Sequence, residues 1–172
     1  MALVICDSST LIHLTSIGRL ALLQTFYERI TIPPAVWNEV VEQGAGRVGA
    51  REVAEAHRAG WIDLSAPADQ PLMSLRRRDL DAGESEVIAL ALERKADLIL
   101  LNESEARRIA DRYGLAKTGV IGLLIRAWRE GLVDSLEAEL DRLQTQGGFW
   151  IEAGWVQWIL ATVAKDSQQR DP

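Results

Sequence analysis

The pattern of hydrophobic and polar residues along the chain predicts short strands that alternate with helices. Residues 3–6 form an unbroken apolar run, which is typical of a strand buried on both faces of a parallel sheet. Short segments rich in apolar residues predict further strands near 29–32, 61–64, 97–101 and 115–118. Apolar residues at helical spacing predict helices at 8–21 with a break at Gly18, from 34, at 50–59, from 83, and at 104–113, 119–129, 135–144 and 151–164.

This alternation of strands and helices indicates a three-layer α/β/α sandwich with a mostly parallel central sheet. The length of 172 residues corresponds to one domain. We therefore predict a single domain over residues 1–164, followed by a polar tail over 165–172. In such sheets, ligands bind beyond the carboxyl ends of the strands, which directs attention to Asp7, Asn102 and Glu103.

The composition narrows the class of protein. Hydrophobic residues make up 48% and charged residues 26% of the chain, which excludes a largely disordered protein. The apolar runs are too short to span a bilayer, and residues 1–5 lack the pattern of a secretion signal. The lone Cys6 excludes a cysteine-rich zinc site and fits a reducing compartment. We therefore expect a cytoplasmic protein that has no membrane partner.

The net charge of −6 argues at first against a nucleic-acid ligand, because such proteins usually present a basic surface. The acidic excess is concentrated near the C-terminus, since residues 130–172 contain eight acidic and three basic residues. Residues 1–129 contain 17 acidic and 16 basic residues. If some of these acids surround metal ions, the remaining surface is mildly positive, so a ligand that carries phosphate is permitted.

Four carboxylates stand at the ends of predicted elements: Asp7, Glu39, Glu84 and Glu103. Carboxylate oxygens are the ligands that Mg²⁺ and Mn²⁺ prefer, and such sites leave positions open for water and phosphate. Each residue also has an ordinary structural explanation, as a helix cap, a partner of a helix dipole or a solvated side chain. The combination at several element junctions nevertheless makes these residues the candidate metal ligands.

A glycine-rich segment at 44–49 matches the dinucleotide-binding pattern GxGxxG, and Asp63 follows at a distance that suits ribose binding. That pattern requires a strand directly before it, because the pyrophosphate lies between the strand and the next helix. Here a predicted helix precedes the glycines. A flexible link between two helices is therefore the favoured interpretation.

Clusters of arginine offer a second candidate for phosphate binding, because the guanidinium group pairs well with phosphate. These residues are Arg76, Arg77, Arg78, Arg107, Arg108 and Arg112. Nearby acids can equally neutralise them as solvated surface pairs; these are Asp79, Asp81, Glu105 and Asp111.

Other reactive side chains carry less information. His13 and His57 lack a partner at metal-binding spacing, and no GxSxG motif supports a serine nucleophile, so neither histidine is assigned a role. The tryptophans at 150, 155 and 158 are expected to pack the last helix onto the core or onto a dimer partner rather than to stack on bases.

Taken together, these residues resemble those of PIN-domain proteins, a fold found in many small ribonucleases that depend on Mg²⁺ or Mn²⁺, including VapC-type toxins. The later segments resemble a branch of predicted PIN-domain nucleic-acid-binding proteins. The resemblance extends over nearly the whole chain. The segments that carry it are 4–12 with Asp7, 32–40 with Glu39, 83–91 with Glu84, 98–103 with Glu103, 118–122 and 147–151.

The resemblance implies a metal-dependent endoribonuclease that hydrolyses RNA phosphodiester bonds, as the toxin of a toxin–antitoxin pair. It implies that Asp7, Glu39, Glu84 and Glu103 hold one or two Mg²⁺ or Mn²⁺ ions and are the catalytic residues. It also suggests that Ser8, Ser9 or Thr10 orients the attacking water or the first ligand. The partners it implies are RNA, a small antitoxin protein and a second copy of the chain in a homodimer.

The chain departs from the family pattern at Asn102, where relatives commonly have aspartate. An amide oxygen can ligate a metal but adds no charge, so Asn102 and Glu103 are both candidate ligands. Glu86 is the main rival of Glu84 for the third acidic position. The alternative function is a catalytically weak or inactive module that binds RNA or an antitoxin.

Overall fold

The computed structural model describes residues 1–68 and 80–168. Within these residues, five strands form one sheet in the order β3-β2-β1-β4-β5, and every neighbouring pair is parallel. The strands are β1 (Val4–Cys6), β2 (Ile30–Ile32), β3 (Ile62–Leu64), β4 (Leu98–Leu100) and β5 (Lys117–Thr118). The predicted α/β class and parallel sheet are confirmed.

Helices cover the sheet and follow the predicted pattern closely. They are α1 (Ser8–Ser16), α2 (Ala21–Tyr27), α3 (Pro34–Trp37), α4 (Ala50–Arg58), α5 (Ala82–Arg94), α6 (Ser104–Arg112), α7 (Val120–Arg129), α8 (Leu136–Thr145) and α9 (Ala153–Gln168). The helix predicted from residue 34 differs, because α3 passes directly into a π-helical turn at Asn38–Glu42. None of the helices in the described residues is both long and apolar enough to cross a membrane.

The last helix is longer than predicted and runs beyond residue 164. In this extension, Nη2 of Arg129 on α7 donates a hydrogen bond to Oδ2 of Asp166 at 3.0 Å. The start of the predicted polar tail at 165 therefore lies within α9. The domain limits at 1–164 stay a prediction.

The core lies on both faces of the sheet, where the residues of β1 and β2 are completely buried. On α9, however, only Ile159 and Val163 are buried. The side chains of Trp155 and Trp158 are exposed to solvent. Packing of these tryptophans onto the core of the same chain is therefore wrong, whereas the alternative, packing onto a dimer partner, stays a prediction.

The order of the strands places a topological switch point between β1 and β4. From β1 the chain moves outward through β2 and β3, and then returns to the other side of β1 as β4. The connections that leave β1 and β4 diverge there, which opens a crevice at the carboxyl edge of the sheet. The backbone N–H of Asp7 donates to the carbonyl oxygen of Leu100 at 3.0 Å, so the ends of both strands meet at this edge.

A buried carboxylate on α8 forms an ion-pair cluster that the sequence analysis did not predict. Arg19 donates to both carboxylate oxygens of Glu139, from Nε at 3.0 Å and from Nη2 at 2.6 Å. Arg142 donates from Nη1 to Glu139 at 3.4 Å and from Nη2 to the carbonyl oxygen of Ile17 at 2.6 Å. The cluster therefore ties α8 to the segment between α1 and α2.

We expect Glu139→Gln to lower the free energy of unfolding by about 1–2 kcal/mol, because the two arginines lose their charged acceptor but stay partly solvated. Urea denaturation measures the change. The matched control is Glu137→Gln on the exposed side of the same helix, which should change stability by less than about 0.5 kcal/mol. Equal effects of the two substitutions would contradict a stabilising role for the cluster.

Candidate active site

A cavity of about 340 Å³ opens at the switch point. Its walls come from the start of α1, the π-helical turn, the start of α5 and the start of α6. The residues that line it are Asp7, Ser8, Ser9, Ile12, His13, Glu39, Asp81, Glu84 and Glu103. The structure thus brings together the four carboxylates proposed from the sequence, and none of the described residues that line the cavity is a lysine or arginine. We call this cavity the acidic cavity.

Asp7 lies at the base of the acidic cavity and is almost completely buried, with 2% of its surface exposed. It is the N-cap of α1, and its Oδ1 accepts a hydrogen bond from the backbone N–H of Thr10 at 2.8 Å. Its Oδ2 accepts from the backbone N–H of Asn102 at 3.3 Å. Burial raises the pKa of Asp7 to about 6, against the hydrogen bonds from Thr10 and Asn102 and with a smaller contribution from the charge of Glu103.

Glu84 is the second buried carboxylate of the acidic cavity. It forms a reciprocal capping box with Asp81 at the start of α5: Asp81 Oδ1 accepts from the N–H of Glu84 at 2.8 Å, and Glu84 Oε2 accepts from the N–H of Asp81 at 3.3 Å. Burial and, after it, the charges of Asp81, Glu103 and Asp7 raise the pKa of Glu84 to about 7, against the hydrogen bond from the N–H of Asp81, which lowers it. Negative charge is therefore crowded in the cavity.

Asp81 lines the acidic cavity although it was not a predicted site residue. The signal that could have found it is the spacing of Asp81 and Glu84, because an acid three residues before a glutamate at a helix start is typical of a capping box. The cap fixes the first turn of α5 and thereby the position of Glu84.

Glu39 reaches the acidic cavity from the π-helical turn. Such turns occur mainly as local insertions in α-helices and are frequent at functional sites. The hydroxyl of Ser8 donates to Glu39 Oε2 at 2.7 Å and so holds the carboxylate at the cavity. Gly83 leaves room for this contact, since a Cβ there would lie 3.3 Å from Glu39 Oε2 and 3.4 Å from Ser8 Oγ. The predicted role of Ser8 in orienting a ligand is consistent with this bond.

Glu86 does not line the acidic cavity. Its Oε2 accepts a hydrogen bond at 2.8 Å from the backbone N–H of Ala35, in the first turn of α3. It therefore stabilises the start of the segment that leads to Glu39. Of the two rivals for the third acidic position, the geometry favours Glu84.

Asn102 lies behind the wall of the acidic cavity and is not among the residues that line it. Its Oδ1 accepts from the backbone N–H of Val120 at 2.9 Å, at the start of α7. Its Nδ2 donates to Thr10 Oγ1 at 3.0 Å and to Ser9 Oγ at 3.4 Å. The amide thus ties β4 to α1 and α7, and the structure does not place its oxygen beside the carboxylates as a metal ligand.

The chemistry of the acidic cavity suits a divalent cation. Five carboxylates face one space, and none of the lining residues that the structure describes is a lysine or arginine that could balance them. Hard oxygen ligands of this kind are those that Mg²⁺ and Mn²⁺ take. In the described residues, no group of three or more His, Cys, Asp or Glu side chains is placed so that it could hold a metal ion. An ion in the acidic cavity would therefore be held by no more than two carboxylates at a time, with water and substrate phosphates completing its coordination, as is common for Mg²⁺.

The alternative nucleotide-binding segment does not have the required structure. The glycines at 44–49 follow the π-helical turn instead of a strand and lead into α4. Asp63 on β3 accepts a hydrogen bond from Arg29 at 3.2 Å. The segment is therefore a link between helical elements, as the sequence favoured.

The predicted arginine clusters are only partly accounted for. Arg76, Arg77 and Arg78 lie outside the described residues. Arg108 pairs with Glu105 at 3.2 Å on the exposed side of α6, which is the ordinary surface role. Arg107 instead donates from Nη1 to the carbonyl oxygen of Leu101 at 2.7 Å and lines a second cavity, described below.

His13 lines the acidic cavity although the sequence analysis assigned it no role. Its Nδ1 is 2.9 Å from the carbonyl oxygen of Gly147, and its ring meets that of Phe149 edge-on at 4.9 Å. These contacts bring the segment before α9 against the cavity. Since they join residues more than 130 positions apart, no local sequence pattern could have found them.

The family of the chain agrees with this geometry. A family model described as PIN domain, DUF3368, matches residues 3–165, and the chain therefore belongs to the PIN-domain family. PIN domains are generally nucleases and typically use divalent metal ions, so the fold is that of a nuclease-like hydrolase. No curated protein matches the chain.

Proposed function

We propose that this protein is a metal-dependent endoribonuclease that hydrolyses RNA phosphodiester bonds with Mg²⁺ or Mn²⁺. The observation that carries the proposal is the acidic cavity at the switch point, where Asp7, Glu39, Glu84 and Glu103 line one space without a lysine or arginine among the described lining residues. Its place at the carboxyl edge of the sheet is where α/β folds bind their ligands.

In this proposal, the four carboxylates hold the ions. Hydrogen bonds from the surrounding residues orient the carboxylates. When bound, the ions supply activation of a water molecule and neutralisation of the charge that develops on the phosphoryl group. Thr10 and Asn102 hold the carboxylate of Asp7 through their backbone N–H groups. Ser8 holds the carboxylate of Glu39. Hydrolysis adds water across one P–O bond, and no side-chain nucleophile is needed.

The proposal is tested by incubating single-stranded RNA with the purified protein in Mn²⁺, in Mg²⁺ and in a chelator, while calorimetry follows the titration of Mn²⁺ into the protein. We expect Mn²⁺ binding and internal cleavage of the RNA only when a divalent ion is present. Cleavage that persists in the chelator, or the absence of any Mn²⁺ binding, would contradict the proposal.

A second candidate is a weakly active module that binds RNA or a small antitoxin, and Asn102 is the observation that favours it. A charged residue is replaced by an amide relative to the family pattern, and this amide is used in holding α1 and α7. The two candidates differ in turnover, because a binding module has no metal-dependent cleavage to lose.

We expect Asn102→Asp to tighten Mn²⁺ binding by about fivefold, because a further negative charge behind the acidic cavity adds about 1 kcal/mol of attraction to a divalent ion. The fold should persist, since the remaining Oδ1 can still accept from the N–H of Val120. Calorimetry measures the affinity. Unchanged or weaker binding in a folded variant would show that Asn102 does not limit the site.

A further inference from the structure

A second cavity of about 590 Å³ opens at the same edge of the sheet, between the ends of β4 and β5 and the start of α9. Its walls combine four isoleucines with aromatic and basic side chains, which are Phe149, Trp150, Trp155, Trp158, Arg107 and Lys117. We call it the tryptophan cavity. Its lining also includes Glu152.

The three tryptophans of this cavity are unusually exposed for their size. The exposed fractions are 82% for Trp150, 57% for Trp155 and 63% for Trp158. The rings of Trp155 and Trp158 lie 6.4 Å apart between centroids with 43° between their planes. Large aromatic surfaces left in water at one concave site are typical of a binding site rather than of a folded core.

The tryptophan cavity adjoins the acidic cavity. Glu103 lines the acidic cavity, whereas its neighbours Asn102 and Ser104 line the tryptophan cavity. On the other side, His13 lines the acidic cavity and contacts Phe149 of the tryptophan cavity edge-on. The two cavities are therefore neighbours along residues 102–104 and at the contact between His13 and Phe149.

Two cations stand in this cavity beside the aromatic rings. The bond from Arg107 to the carbonyl oxygen of Leu101 fixes one guanidinium at the end of β4. Lys117 is the second basic side chain of the cavity, and its ammonium group pairs with Asp111. Aromatic side chains that stack on bases, combined with cations that attract the backbone, are the usual composition of sites for single-stranded nucleic acid.

We propose that the tryptophan cavity binds unpaired bases of RNA next to the phosphate held at the acidic cavity. This inference rests on the proposed function and adds a binding site for the flanking nucleotides. Bases in a duplex are already stacked, so the ligand is single-stranded RNA. The cations and the continuity with the acidic cavity favour RNA as the ligand. A second copy of the chain could bind here without either feature.

The test measures binding of a short, fluorescently labelled single-stranded oligoadenylate by fluorescence anisotropy in Ca²⁺, which can hold the phosphate at the carboxylates, and gel electrophoresis verifies that the oligomer stays intact. We expect Trp155→Ala and Trp158→Ala to weaken binding by about 5- to 150-fold each, the usual loss for one stacked base. The matched control is Tyr113→Ala, an exposed aromatic residue at the far end of α6, which should bind as the wild type does. Circular dichroism and urea denaturation establish that each variant is folded.

Three results would overturn the inference: no binding by the wild type, unchanged binding in both tryptophan variants, or an equal loss in Tyr113→Ala. Sedimentation of the same samples shows whether the protein is a dimer. If the tryptophan variants lose a dimer but bind RNA as the wild type does, this surface is an interface between two copies of the chain. If dimer and RNA binding are lost together, ultraviolet crosslinking decides: crosslinks to residues 150–158 support the inference, and crosslinks elsewhere overturn it.

Cleavage in Mn²⁺, measured on the same proteins, separates this inference from the proposed function. If the wild type cleaves RNA and the tryptophan variants bind oligoadenylate as well as the wild type does, the nuclease function stands and the base-binding site is overturned. If the wild type does not cleave RNA but the tryptophan variants bind it more weakly, the nuclease function is overturned and the base-binding site is supported.

Discussion

Replacing Glu84 with glutamine is expected to reduce metal-dependent RNA cleavage by at least about 100-fold, since a metal ligand contributes several kcal/mol to stabilising the transition state. The substitution removes one charge but keeps the size of the side chain and an oxygen that can accept from the N–H of Asp81. The start of α5 should therefore stay intact. The initial rate of cleavage in Mn²⁺ and the calorimetric affinity for Mn²⁺ measure the effect.

The matched control is Glu86→Gln, two residues further along the same helix. Glutamine can still accept the hydrogen bond from the N–H of Ala35, so both the fold and the cleavage rate should be close to those of the wild type. A loss in Glu86→Gln that equals or exceeds the loss in Glu84→Gln would assign the third acidic position to Glu86. Equal activity in wild type and both variants would remove this helix from the site.

The metal-free protein is expected to become more stable when Asp7 is replaced with asparagine, by about 2 kcal/mol at pH 8. Burial raises the pKa of Asp7 to about 6 in the folded state, above its value in the unfolded chain. A folded state with the higher pKa binds the proton more tightly. Below about pH 4 both states are protonated and no stability is lost, whereas stability falls as the pH rises from about 4 to about 6.

The raised pKa of Glu84, about 7, acts in the same direction and extends the loss of stability to that pH. Asparagine at position 7 carries no charge, so it removes the part of this pH dependence that belongs to Asp7. It can still accept from the N–H of Thr10 through its Oδ1, and it gives up the longer bond from Asn102. The same substitution should abolish most of the metal-dependent cleavage, because it removes a metal ligand.

Urea denaturation in a chelator, at pH 5 and at pH 8, measures this effect. The matched control is Asp63→Asn, which alters a solvent-exposed pair with Arg29 and should change stability by less than about 0.5 kcal/mol at either pH. A divalent ion should stabilise the wild type more than Asp7→Asn. If Asp7→Asn is less stable than the wild type at pH 8 in the chelator, the account of crowded negative charge fails.

A stabilising substitution that abolishes activity would fit a site where function costs stability. The pKa values of Asp7 and Glu84 are raised to about 6 and 7, which means that their charged forms destabilise the metal-free fold. A bound divalent ion offsets this cost by attraction to the same groups. Asp7 and Glu84 would thus stabilise the ion-bound protein while they destabilise the metal-free fold.

Much of the fold was predictable because its signals are local. The apolar runs at β1 and β4 reflect the need to bury both faces of the sheet. These runs, and the helical spacing of apolar residues between them, can be recognised from neighbouring residues alone. The π-helical turn was not predictable, since one extra residue per turn leaves the apolar pattern from Pro34 onward almost unchanged.

Short segments of the sequence were enough to predict the parallel α/β class, the position of Asp7 directly after a strand, and the four acids proposed as ligands. Only the packing of the elements shows that Glu84 but not Glu86 lines the acidic cavity, that Asn102 serves as a structural amide and that the tryptophans are exposed. The first set depends on the period of hydrophobic residues and on strand ends, which are properties of short segments. The second depends on how helices rotate against the sheet and on hydrogen bonds between residues far apart in the chain, such as Asn102 with Thr10.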